Sequence, residues 1–237
     1  MTEPKILVLD VETKPALAYV WKLFDENISL DQLIEPSRII CFAARWVNGD
    51  ETFFHADWFE GGRQVMLAAL YHLMAQADAI VTFNGDKFDL TKIRGEFVAE
   101  SIPPLPPITS IDLYKTVRKL GFQSGKLAFV GPFLGLGKKV KNVGFKLWAD
   151  VLDGKFEAQT EMMNYCIGDV LLTEKLYMKL RPYITNHPHM GEDKAECGAC
   201  GSNHSQSRGY RRTKAFKIQR LHCQSCGAWF DGKRTKV

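Results

Sequence analysis

Acidic residues at three places in this 237-residue chain have the type and spacing to hold hard cations. Asp10 and Glu12 close the apolar run Lys5–Val11, KILVLDV. If that run is a strand, its two-residue period sets both carboxylates on one face and Val11 on the other. Carboxylates so close repel one another unless a cation lies between them, and hard divalent cations prefer oxygen ligands. Asp89 ends the stretch Phe83-Asn84-Gly85-Asp86-Lys87-Phe88-Asp89, where a buried strand gives way to a helix. Its carboxylate can therefore point back over the edge of a sheet. In Tyr165-Cys166-Ile167-Gly168-Asp169 the tyrosine and the last aspartate are four apart, which puts them on one face of a helix. Each piece alone has a plain reading: a polar strand end, a helix capped by Asp86, a solvated helix face.

A second set is built from sulfur. Cys197-Gly198-Ala199-Cys200 and Cys223-Gln224-Ser225-Cys226 are two C-x-x-C knuckles separated by 22 residues. Four thiolates saturate a tetrahedral Zn²⁺ and leave no open position, so the expected role is structural. So small a segment has little core of its own, and metal binding would supply most of its folding energy. The start of the chain, MTEPKILVLDVET, reaches its acidic residues too soon for a secretion signal, which favours metal over disulfides. Cys41 and Cys166 stand apart in apolar surroundings and are expected as buried, inert thiols.

Positioning these groups requires a sheet and helices. Beyond the first strand, Arg38–Val47 and Thr52–His55 read as strands around an Asn48-Gly49-Asp50 turn, and Gly62–Gln76 as an amphipathic helix. Asp78–Asn84 reads as a buried strand, followed by a helix over about 87–100. The prolines of Ser101–Thr109 exclude helix and central strand and predict an extended connector into a short strand at Ser110–Leu113. Short helices are expected near 115–119 and 126–134, a flexible loop over Gly131–Gly144, and a long helix over about 160–184. The loop's Gly137-Lys138 is not followed by Ser or Thr, so it is no phosphate-binding loop of the P-loop type. The order of elements predicts an α/β domain with a mixed sheet flanked by helices. The pattern breaks at Asn186-His187-Pro188, which places a boundary between domains at 1–185 and 186–237.

The three acidic pieces, in this order, resemble the DEDD exonucleases of the ribonuclease-H-like superfamily over roughly residues 1–184. They are most similar to the proofreading domains of family B DNA polymerases, without the polymerase. Tyr165 four before Asp169 indicates the tyrosine subclass; a histidine five before would stand at Asn164. The resemblance implies that Asp10, Glu12, Asp89 and Asp169 hold two Mg²⁺ or Mn²⁺ ions. It implies that Tyr165 orients the attacking water and that Asn84 contacts substrate or braces the site. Asp86 stays outside the metal shell.

Charge points to the same partner. The chain is +4 overall, yet residues from 186 onward hold ten Lys/Arg against four Asp/Glu, a surplus of +6 over a body of −2. Arg211, Arg212 and Lys214 lie between the knuckles among Tyr210, Phe216, Trp229 and Phe230, a mixture suited to phosphate contact and base stacking. No run of eighteen apolar residues exists, which excludes a helical membrane span. The expected protein is a cytoplasmic 3′→5′ exonuclease acting on single-stranded or frayed DNA, with a zinc ribbon that holds substrate. A ribbon that docks a replication or repair protein, an exoribonuclease, and a non-catalytic nucleic-acid adaptor are the rivals.

Overall fold

The computed structural model describes residues 4–141 and 144–237. The expectations touching Glu3, and Asn142 and Val143 in the glycine- and lysine-rich loop, lie outside the described residues. The first apolar run forms β1 (Ile6–Thr13). The chain then leaves the sheet as an arm with β2 (Leu17–Ala18), a 3-10 turn (Leu30–Gln32) and β3 (Leu33–Glu35). It returns as a hairpin of β4 (Ile39–Trp46) and β5 (Thr52–Ala56), turned by Asn48 at φ 63°. There follow α1 (Gly62–Ala75), β6 (Ala79–Thr82), α2 (Asp89–Ala99), β7 (Thr109–Asp112), α3 (Leu113–Lys119), α4 (Leu127–Phe133), α5 (Phe145–Leu152) and α6 (Phe156–Leu180).

The central sheet runs β5-β4-β1-β6-β7. β4 lies antiparallel to β1 and β5, whereas β6 is parallel to β1 and to β7. This is the mixed sheet expected. Alternation along β1 assigns its two faces. Leu7, Leu9 and Val11 pack with Leu67 and Leu70 of α1 and Leu90 and Ile93 of α2. Ile6 and Val8 face the other way, toward Cys166 and Val170 of α6. Burying these side chains, each worth about 1.5–3 kcal/mol, fixes the register of β1 and so fixes where its acidic end emerges.

Two expectations need correction. α5 was not anticipated, because only Leu147 and Val151 are buried while Phe145 and Leu152 are exposed, which blurs its period. The last helix begins at Phe156 rather than near 160, since Ala158 and Met162 continue its buried stripe, and it tightens to a 3-10 turn at Arg181–Tyr183. The proline connector is neither helix nor strand over residues 102–108, as predicted. The arm keeps Tyr19, Trp21, Leu23, Phe24 and Leu30 in solvent. None of the described helices is long and apolar enough to cross a membrane.

The C-terminal segment forms a separate three-stranded sheet of β8 (Ser205–Arg212), β9 (Phe216–Cys223) and β10 (Trp229–Lys236), in the order β10-β9-β8. Its packed interior is Cys197, Cys223 and Ala228, with Phe230 alongside.

Candidate active site and cysteine cluster

β1 presents Asp10 opposite Ala43 and Glu12 opposite Cys41 of β4, on the face covered by α6. Asp169 comes down from α6 and is 3% exposed. One carboxylate oxygen from each of Asp10, Glu12 and Asp169 lies within 4.8 Å of the others. Asp89, at the first turn of α2, is also buried, and its Oδ1 accepts the Val11 N–H at 3.1 Å. It borders the three-carboxylate group rather than joining it. Tyr165, one turn before Asp169, is buried with its ring edge-on to Trp148 at 6.2 Å.

The turn before α2 explains how Asp89 arrives there. Asn84 adopts φ 69°, and its N–H donates to Asp112 Oδ1 at 2.8 Å. Gly85 is required because a Cβ there would stand 2.2 Å from Thr82 Oγ1. Asp86 turns away to Ser110 and Lys115. Burial raises its pKa, but those two hydrogen bonds outweigh it and hold the carboxyl below its ordinary value.

Lys139 is the residue that sequence reasoning missed. Its ammonium lies 2.7 Å from Asp169 Oδ2, hydrogen-bonds Tyr165 and sits 4.9 Å from that ring's centroid. The only signal in the sequence was Gly168, beside Asp169. A Cβ at Gly168 would meet Val140 Cγ2 at 2.4 Å, so glycine lets the loop cross α6 and deliver its lysine. Asn84 and Lys139 also line an open groove of about 530 Å³ with Phe83, Tyr114 and Lys126. The larger apolar cavity beneath the proline connector, about 570 Å³, shares none of these residues.

Crowding four acids in a half-buried place has an electrostatic signature. Burial, then repulsion from Asp89, Glu12 and Asp169, holds Asp10 protonated well above the ordinary carboxyl range. Burial first and Asp169 second push Glu12 up to about 8, and burial pushes Asp89 up to about 7. Asp169 is raised by burial despite Lys139. Burial also raises Tyr165, so its phenol stays protonated at neutral pH. Asp169 Oδ1 is buried without any hydrogen-bond partner. An orphaned carboxylate oxygen inside a cluster of oxygen donors fits a hard cation such as Mg²⁺ or Mn²⁺. Cys166, expected to be inert, is buried but directs its thiol at Asp10, 3.6 Å from Oδ2.

The RNase_H_2 family model, described as RNase_H superfamily, matches residues 31–181. The chain belongs to the RNase H superfamily. Among solved structures it is similar to the family B DNA polymerase from the hyperthermophilic archaeon Pyrobaculum calidifontis, with a TM-score of 0.58 and 16% identity. That match covers 76% of this chain and 25% of the polymerase, so the chain spans about a quarter of its length. At this identity the likeness concerns the fold. No curated protein matches the sequence.

Outside the matched region, this RNase H-superfamily protein brings Cys197, Cys200, Cys223 and Cys226 together, their sulfurs all within 4.8 Å of one another. Two sulfur pairs stand 3.7 and 3.6 Å apart. Ligands at about 2.3 Å in a tetrahedron would stand about 3.8 Å apart, so the cluster fits Zn²⁺. Burial opposes ionisation of Cys223, but the N–H groups of Cys226 and Ser225 outweigh it and bring the thiol to about 7. The three basic residues singled out in the ribbon do not share one face of its sheet. Arg211 is held by Asp231 through bonds of 3.1 and 2.7 Å, Arg212 pairs in register with Lys217 and so lies on the opposite face, and Lys214 sits in the intervening turn.

Proposed function

We propose that the chain is a divalent-metal-dependent 3′→5′ exonuclease that hydrolyses the terminal phosphodiester of single-stranded or frayed DNA. The observation that carries this reading is the convergence of Asp10, Glu12 and Asp169 from a strand and a distant helix, with Asp89 beside them. Asp10, Glu12, Asp89 and Asp169 would hold two Mg²⁺ or Mn²⁺ ions. Such ions, when bound, acidify a water and neutralise charge on the attacked phosphate. Tyr165 keeps its proton and therefore positions the attacking water rather than deprotonating it. Lys139, already at Asp169 and Tyr165, faces the same phosphate charge. The groove lined by Asn84, Phe83 and Tyr114 offers a polar side chain and two aromatic rings to the terminal nucleotide.

The catalytic unit would be residues 1–185, and residues 186–237 a zinc ribbon that helps hold the strand through its basic surplus. A 5′-labelled oligonucleotide separates the possibilities. A metal-dependent ladder of shortened, still labelled products supports 3′→5′ action, and release of the label as a mononucleotide contradicts it. Paired DNA and RNA substrates test the sugar. Absence of any metal-dependent product in the folded protein would leave the adaptor reading.

A further inference from the structure

The two faces of the ribbon sheet are not equivalent. Register places His222, Arg220 and Ile218 of β9 on one face, opposite Trp229, Asp231 and Arg234 of β10. Arg211 joins that face from β8, and Lys236 from the end of β10. Gln219, Leu221 and Phe230 belong to the other face, where they line a pocket with His189, Asp193 and Ala195 of the preceding segment; Asp231 and Arg234, either side of the β10 irregularity, reach the same pocket. One face is thus partly covered by its own chain; on the other Ile218 is buried, while the end bearing Trp229 stands open.

On the open face Trp229 is 57% exposed, although it is the largest side chain of the ribbon. It is held rather than loose. His222 packs against it at 4.8 Å, and the Arg220 guanidinium lies 6.0 Å from the ring centroid. His222 is in turn fixed by Gln224 at 3.1 Å. Beside this stack, Asp231 binds both Arg211 and Arg234. The face carries Arg211, Arg220, Arg234 and Lys236 against the single acid Asp231. A pre-set aromatic plane bordered by a cationic surplus is complementary to an unpaired base with its phosphate backbone. A protein partner recognised by apolar burial would gain little from four cations around one indole.

Resting on the reading of the ribbon as a strand-holding module, we propose that this face binds single-stranded nucleic acid. A base stacks on Trp229, and the neighbouring arginines contact the flanking phosphates. Contact therefore comes from the Trp229 face and not from Arg212 and Lys214.

The test uses the full, zinc-loaded chain carrying Asp10→Asn to prevent cleavage, with anisotropy of a labelled oligothymidylate across a salt series. Zinc content and melting temperature of every variant are checked first. Trp229→Ala is expected to weaken binding about tenfold with the salt slope unchanged, and Trp229→Phe to retain most of it. Arg220→Ala with Arg234→Ala should weaken binding and flatten the log–log slope by up to about 1.4. Arg212→Ala with Lys217→Ala, on the face opposite Trp229, should change affinity less than twofold. A loss with this last pair and none with Trp229→Ala would overturn the assignment of the face while leaving the ribbon as a binder. Unchanged affinity in all the variants would overturn the strand-holding role itself, and this proposal with it.

Discussion

The carboxylate cluster and the cysteine cluster could each hold a metal, and they are built in opposite ways. Asp10, Glu12, Asp89 and Asp169 come from one strand end and two helices, and each is placed by a core that packs without any ion. That core forces acids together and raises their pKa values, so the crowding costs stability wherever no cation offsets it. The ribbon has the reverse arrangement. Its interior is little more than Cys197, Cys223 and Ala228, far too small to hold three strands. In the first region the fold would organise the metal site; in the second a bound metal would organise the fold.

The largest effect should come from breaking the ribbon's side. Cys223→Ser should abolish zinc binding, and structural zinc sites of this kind contribute on the order of 10 kcal/mol. Hydrogen exchange should show β8–β10 unprotected while β1 and β6 stay protected. Loss of protection throughout the chain would mean the ribbon is not a separate folding unit. Next in size, Tyr165→Phe removes only a hydroxyl at the opposite region. If that hydroxyl positions water, single-turnover cleavage should slow by roughly 10²-fold with metal affinity unchanged. An unaltered rate would remove Tyr165 from the reaction.

Gly168→Ala sharpens the comparison, because it adds one methyl where the loop bearing Lys139 crosses α6. Val140 must move, and Lys139 with it, so cleavage should fall several-fold while melting temperature changes little. Equal cleavage rates would show that Lys139 has no part. The smallest effect is a gain. Glu12, pushed up to about 8, binds more protons folded than unfolded from about pH 4.5 to 8. Stability of the metal-free protein therefore falls as pH rises through that window. Glu12→Gln should raise the metal-free melting temperature at pH 8, by about 2–4 °C per kcal/mol regained, and leave it unchanged near pH 4. A lower melting temperature at pH 8 would contradict the crowding account.

Much of the fold was legible because it rests on local signals. β1 and β6 are short apolar runs bounded by polar turns, and the prolines of the connector exclude regular structure. The carboxylates were readable because each falls at a fixed place relative to such an element. Lys139 was not, since a lysine in a lysine-rich loop carries no pattern, and its role depends on a crossing over Gly168 nearly thirty residues later. The same limit hid the division of Arg211 from Arg212, which only strand register decides. The arm was opaque for another reason: with Trp21, Leu23 and Phe24 all in solvent, its apolar residues follow no burial period.

The central claim is that the carboxylates form one cation site, and calorimetric titration of Mn²⁺ into the zinc-loaded chain tests it most directly. The native protein should bind Mn²⁺ with release of protons near pH 7, because acids held protonated by crowding must ionise. Asp169→Asn should remove that binding and most of the proton release, while leaving zinc content and fold intact. Mn²⁺ binding of equal affinity and proton release in the folded Asp169→Asn protein would contradict the account.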